Sequence, residues 1–135
     1  MKSIILFIFL LGSVLRCSDN VEQKINEQLI GKWTWIKSTG GISGTTKTPE
    51  TCEKTIIIEF TADKFIQYNN GNKVLEMVYS IEKGPSIHSE EECYLIIYEN
   101  GNKQSVQYED GVLILYDECY DCFQNEYKKQ ESTTD

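Results

Sequence analysis

The stretch CYLIIYENGNKQSVQYEDGVLILYD, residues 93–117, decides the fold. It holds three short runs, residues 93–99, 103–109 and 112–117, rich in Tyr, Ile, Leu and Val and joined by Asn100-Gly101 and Asp110-Gly111. Branched and aromatic side chains suit a pleated, half-buried surface. Asn-Gly and Asp-Gly steps suit the tight turns whose central residues take positive φ, and the twist of those turns matches that of the antiparallel strands they join. The reading is therefore three consecutive antiparallel strands.

The same grammar continues in both directions. Upstream, Asn70-Gly71 marks another such turn, between residues 65–69 and residues 73–82, where Leu75, Met77, Tyr79 and Ile81 share a side. Before them, residues 55–61 place Ile56, Ile58 and Phe60 on one face, and residues 32–38 do the same for Trp33 and Trp35. Downstream, residues 123–129 form the last run. Eight such segments in sequence order predict an all-β protein, an eight-stranded antiparallel up-and-down barrel, because closure removes the two exposed sheet edges. A β-sandwich is the rival arrangement, but its crossing connections need longer loops than Asn-Gly provides. Ahead of the strands, Val21, Ile25, Leu29 and Ile30 recur at helical spacing, with Asn20 placed to cap and Glu22 in the first turn. This predicts a short N-terminal helix packing one apolar face on the barrel.

Gly31-Lys32-Trp33, after that helix, resembles the G-x-W start of the first strand in lipocalins. The longer run over residues 29–49, with Gly-Gly-Ile-Ser-Gly and Thr-Pro, is similar to that of small bacterial lipocalin-like lipoproteins. The likeness covers about residues 21–130. The chain is shorter than full lipocalins and has no helical pattern after its last strand, residues 131–135 being a polar tail. The resemblance implies a lipocalin-like barrel over residues 31–130, with Gly31 and Trp33 as its structural signature. It implies Lys128 or Lys129 as the basic residue packed on Trp33, and a small apolar ligand in the barrel mouth.

The N-terminus reads as a targeting segment. Lys2 precedes an uninterrupted apolar run, residues 4–11, then Gly12, Ser13, Val14, Leu15, Arg16 and Cys17. That run is well short of the roughly 20 residues a membrane-spanning helix needs, so residues 1–16 are read as a secretory signal peptide. Cys17 stands where a lipoprotein signal places its lipid-modified cysteine, although Arg16 occupies a position normally held by a small residue. Residues 17–30 then form a tether and the short helix, and the expected location is the bacterial cell envelope, lipid-anchored.

Charge and cysteine content narrow the functional classes. Residues 1–16 contribute Lys2 and Arg16 and no acid, leaving 11 basic against 21 acidic residues, or −10, in the processed chain. Such a field repels phosphate backbones and anionic lipid heads, so no nucleic-acid partner is expected and membrane attachment falls to the lipid anchor. Apart from Cys17 there are Cys52, Cys93, Cys119 and Cys122, which in an oxidising compartment suggest two disulfides with three possible connectivities. Cys119-Tyr120-Asp121-Cys122 is also a C-x-x-C motif, but no βαβ pattern surrounds it. A zinc site would lack a second close cysteine pair, and His88 is the single histidine. No metal or cofactor is expected.

Three functional readings follow. In the first, the barrel binds a small, largely apolar molecule, with Tyr79, Tyr98, Tyr108 and Tyr116 lining the interior and Gly40, Gly41 and Gly44 in a rim loop, residues 39–49. In the second, the barrel is filled and its outer surface engages another envelope protein, for which the apolar residues 94–98 offer two faces. Catalysis is the weakest reading. His88 lies in an expected loop, residues 83–92, with no nucleophile motif beside it, and Glu90, Glu91 and Glu92 read as a solvated acidic run.

Overall fold

The computed structural model describes residues 17–132. Residues 1–16, read above as a signal peptide, and the last residues of the polar tail lie outside the described residues. Helix α1, Cys17–Leu29, is rich in Glu, Gln and Lys, which lose little side-chain freedom in a helix. It begins before Asn20, so that residue sits within the helix rather than capping it. Of its expected apolar face Leu29 is fully buried and Ile25 half-buried, while Val21 and, just past the helix, Ile30 are exposed.

Nine strands follow, β1 Gly31–Gly40, β2 Thr45–Lys47, β3 Ile56–Phe60, β4 Lys64–Asn69, β5 Asn72–Ser86, β6 Ser89–Tyr98, β7 Lys103–Glu109, β8 Val112–Asp117 and β9 Phe123–Lys129. Eight of them form one closed antiparallel barrel, in the order β1-β3-β4-β5-β6-β7-β8-β9, with β9 pairing back to β1. The ninth, β2, pairs only with the last residues of β1, from Ser38↔Lys47 to Gly40↔Thr45. It belongs to the connection expected as a plain loop, which also contains helix α2, Pro49–Cys52, started by a reciprocal Thr48–Thr51 capping box.

The expected turns are present in two chemistries. Asn70-Gly71 and Asp110-Gly111 have positive φ at both residues, the two-residue hairpin form. At Asn100-Gly101 only the glycine does, and a wider turn closes through Tyr98 N–H to the Asn102 carbonyl, 2.9 Å. A bulge in β1 between Trp35 and Lys37 resets the alternation. Lys37 consequently pairs with Glu126 at 3.4 Å, and Ser38 turns inward beside Trp35.

The barrel end under α1 is solid. Leu29, Trp33, Phe60, Tyr79, Ile96 and Leu113 belong to one buried cluster, with Tyr108 against it and Phe60 set edge-on to Tyr79. Trp33 donates from Nε1 to the Leu29 carbonyl at 2.8 Å. Lys129 lies over the Trp33 ring at 5.1 Å and donates to the Gln28 carbonyl, so it is the basic residue packed on that tryptophan.

The expected loop over residues 83–92 is instead the end of a β5–β6 ribbon, paired as far as Ser86↔Ser89. Its Gly-Pro step and acidic run gave no strand signal. The ribbon is held by tertiary bonds: Glu118 accepts from Ser86 Oγ at 2.7 Å and Ile87 N–H at 2.9 Å, and His88 Nε2 meets the Asp117 carbonyl at 2.8 Å. Pairing of β6 with β7 stops at Leu95↔Ser105. With its tip fixed at the end of β8, the ribbon crosses the outer barrel face, where Leu95, Ser105 and Ile114 are buried although alternation points them away from the interior.

On the opposite wall Glu76 bridges Lys64 at 3.0 Å and Lys73 at 2.8 Å. Hydrogen bonds from the two ammonium groups pull its pKa down to about 2. A depressed carboxyl contributes stability above its unfolded pKa and loses it as pH falls through the folded value. Carboxyl NMR titration is expected to place the Glu76 midpoint near 2, and Lys64→Met with Lys73→Met to return it to the ordinary carboxylate range.

Candidate ligand site in the barrel mouth

The barrel end opposite α1 is hollow. A cavity of about 570 Å³ opens there, with Trp35, Ile56, Phe65, Met77 and Leu115 as apolar wall. Ser38, Gln67, Gln104, Asp117 and Asn125 stand among them, with Tyr98 and Tyr127. A side lobe of about 490 Å³ shares Trp35, Ser38, Ile56, Asp117 and Asn125 and extends to Lys47, Cys52, Lys54 and Phe123. Cavities of this size and mixed lining hold small organic molecules.

Apart from Gln67 and Tyr127, these polar side chains form one connected chain. Trp35 Nε1 donates to Ser38 Oγ at 2.9 Å, and Ser38 donates to Asn125 Oδ1 at 2.6 Å. Asn125 Nδ2 reaches Asp117 Oδ1 at 3.4 Å, which also accepts from Gln104 Nε2 at 2.7 Å. Tyr98 donates to Gln104 Oε1 at 2.6 Å, and the Phe123 N–H meets Asp117 Oδ2 at 3.3 Å. Asp117 is thus the hub, and its partners are neutral. None of the ion pairs among the described residues includes it.

Of the four tyrosines expected to line the interior, Tyr98 alone is in the cavity wall. Tyr79 and Tyr108 point inward but lie in the packed half. Tyr79 donates to the Thr61 carbonyl, and the Tyr108 hydroxyl is buried without a partner. Tyr116 is on the outer face, because Leu113 and Leu115 take the inward phase of β8. It bonds Gln107 at 3.1 Å and neighbours the His88 ring.

Interior polar residues that sequence reasoning passed over include Ser38, Gln104, Asp117 and Asn125. A signal for three of them was present. Gln104 shares the phase of Val106 and Tyr108, Asp117 that of Leu113 and Leu115, and Asn125 lies between Phe123 and Tyr127. A polar residue continuing an inward apolar phase marks where a barrel stops being solid. Ser38 had no such signal, since the β1 bulge sets its direction.

The rim glycines do different jobs. Gly40, at φ 147°, lies so close to Cys122 that a β-carbon there would overlap the Cys122 carbonyl. Gly41 N–H donates to that same carbonyl at 3.2 Å, whereas a side chain at Gly44 would meet open space. The β1–β2 loop is therefore fastened to the turn after β8.

That turn carries a disulfide, Cys119–Cys122, with Cα atoms 5.6 Å apart. Among the described residues there is no second disulfide: Cys52, on α2, is an exposed free thiol, and Cys93, on the ribbon, is a half-buried one. The two sit on elements that do not pair, and the C-x-x-C spacing lets Cys119 and Cys122 close locally. Thiol labelling of the folded protein is expected to modify Cys52 fast and Cys93 slowly, leaving Cys119 and Cys122 until a reductant is added. Because the loop is so short, Cys119→Ser with Cys122→Ser should cost only about 2 kcal/mol in a denaturant titration.

His88 lies at the ribbon tip rather than in the cavity. Among the described residues no group of three or more His, Cys, Asp or Glu is placed to hold a metal ion, and no helix is long and apolar enough to cross a membrane.

Burial pushes the Tyr98, Tyr108 and Tyr127 phenols upward, and the Asp117 charge adds to the effect at Tyr98 and Tyr127. A raised phenol contributes stability that is complete below its unfolded pKa, about 10, and lost as pH rises toward the folded value. Absorbance at 295 nm should therefore show a late, steep step above that pH, coincident with loss of near-ultraviolet circular dichroism. No family model matches this chain, and neither curated proteins nor solved structures include a match to it.

Proposed function

We propose that this protein is a lipid-anchored lipoprotein of the bacterial cell envelope whose lipocalin-like, up-and-down barrel binds a small, largely apolar molecule in its mouth. The observation that carries the reading is the cavity of about 570 Å³ at one end of an otherwise packed barrel. Trp35, Ile56, Phe65, Met77 and Leu115 supply apolar area to a ligand, and the chain from Ser38 to Tyr98 supplies orientation. The lipocalin-like assignment draws on the G-x-W tryptophan with Lys129 over its ring. Export and anchoring draw on residues 1–17 of the sequence. The reading as a filled module for protein partners draws on the solid half under α1 and does not use the hollow half.

Native mass spectrometry of the processed protein, purified from its own envelope, is the test. A stoichiometric small molecule released on denaturation supports the binding reading, and the mass of the N-terminal peptide reports whether Cys17 is acylated. A bare mass together with no uptake of apolar fluorescent probes overturns the binding reading and favours the filled-module one.

A further inference from the structure

We infer that the mouth selects an amphiphile with a cationic, amine-derived head, an organic cation rather than a fatty acid or a metal ion. The inference rests on the mouth being a ligand site and adds the class of ligand. Its basis is one juxtaposition: a carboxylate without a counter-cation, Asp117, lines the same cavity as Trp35, Phe65, Tyr98 and Tyr127.

Each part has a physical consequence. Asp117 is partly buried, its bonds come from two side-chain amides and one backbone N–H, and none of the ion pairs among the described residues includes it. A carboxylate fixed in a partly dry cavity attracts a positive charge more strongly than one in water. The aromatic faces favour a cation as well, through the negative face of each ring, and tolerate a bulky alkylated ammonium that cannot donate hydrogen bonds. A hard metal ion needs several oxygen ligands. Of the two carboxylates in the cavity wall Glu118 is engaged by Ser86 and Ile87, and no group of three or more His, Cys, Asp or Glu placed to hold a metal is found among the described residues.

The mouth also carries lysines and one more acid. Lys103 lines the main cavity and Lys47 the side lobe; both are exposed, and the Lys47 ammonium lies over the Phe123 ring at 4.7 Å. Lys54 lines the side lobe. The exposed ammonium groups are hydrated and screened by salt, whereas Asp117 is among the side chains of the cavity wall. Glu118 lines the main cavity too, but its carboxylate is already engaged by Ser86 and Ile87. Of the two acids in the wall Asp117 is therefore the one left to meet a cation, and the apolar wall takes the chain.

Isothermal titration of the processed protein with dodecyltrimethylammonium, dodecanol and dodecanoate, each below its micelle-forming concentration, tests this. The cation is expected to bind about tenfold tighter than the alcohol, and the carboxylate weakest. Asp117→Asn should lower cation binding to the level of alcohol binding measured on the same variant, while Asp117→Glu should keep the preference. The comparison on the unaltered protein stands even if a variant fails to fold. Dodecanoate binding as well as or better than the cation overturns the inference while leaving the mouth a ligand site. Equal binding of the cation and the alcohol overturns it in the same way. Failure of all three, with no uptake of apolar probes, overturns it together with the binding reading beneath it.

Discussion

Trp33→Ala is expected to lower the unfolding free energy by about 3–5 kcal/mol, the usual cost of truncating a large buried aromatic. Trp33 is 2% exposed, and three neighbours depend on it. Its indole N–H satisfies the Leu29 carbonyl at the end of α1, its ring carries the Lys129 ammonium, and the Tyr108 ring packs at 5.9 Å. Removing it leaves a void beneath Leu29 and frees a helix-terminal carbonyl in a buried place. Trp33→Phe separates the contributions, keeping most of the apolar volume and losing the hydrogen bond at a cost of about 1–2 kcal/mol. Urea titration followed by circular dichroism reads both. A Trp33→Ala loss under 1 kcal/mol would show that the helix-capped end is not where the barrel's stability resides.

Gly40→Ala is the second large effect, at about 3 kcal/mol or more. Two costs act together. The backbone at φ 147° is one that alanine rarely adopts, and the new methyl group meets the Cys122 carbonyl, a backbone atom that cannot rotate away. Relief requires separating the β1–β2 loop from the disulfide turn, so the Gly41 N–H bond to the same carbonyl is lost as well. Gly44→Ala is the matched control. It also has positive φ but faces open space, and about 1 kcal/mol is expected for its left-handed backbone alone. Thermal melts of the two variants should therefore differ clearly. If they coincide, the loop is not fastened to the turn.

Most of the barrel was legible because its signals are local. Asn70-Gly71 and Asp110-Gly111 fix two hairpins, and Ile56, Ile58 and Phe60 show their shared face by alternation alone. The misplacements share another cause. Nothing near Trp35 or Lys37 announces the bulge that turns Ser38 inward. The ribbon over residues 83–92 depends on Glu118, about 30 positions away in sequence, accepting from Ser86 and Ile87. The mouth was the hardest part to read. Alternation tells which side chains face inward but not how deep in the barrel each lies, so Tyr98 and Tyr108 looked equivalent although one borders the cavity and the other is in the packed half.

The chain enters the barrel through the solid end, at Leu29 and Gly31, and the cavity opens at the other. Under the proposed anchoring at Cys17, the mouth lies at the end of the barrel away from the point of attachment. On the proposed binding reading, a ligand would then be taken from, or handed to, the space in front of the mouth rather than the leaflet beneath. The same polarity separates the two halves: side chains at the mouth can be exchanged while Trp33, Leu29 and Lys129 keep the other end folded.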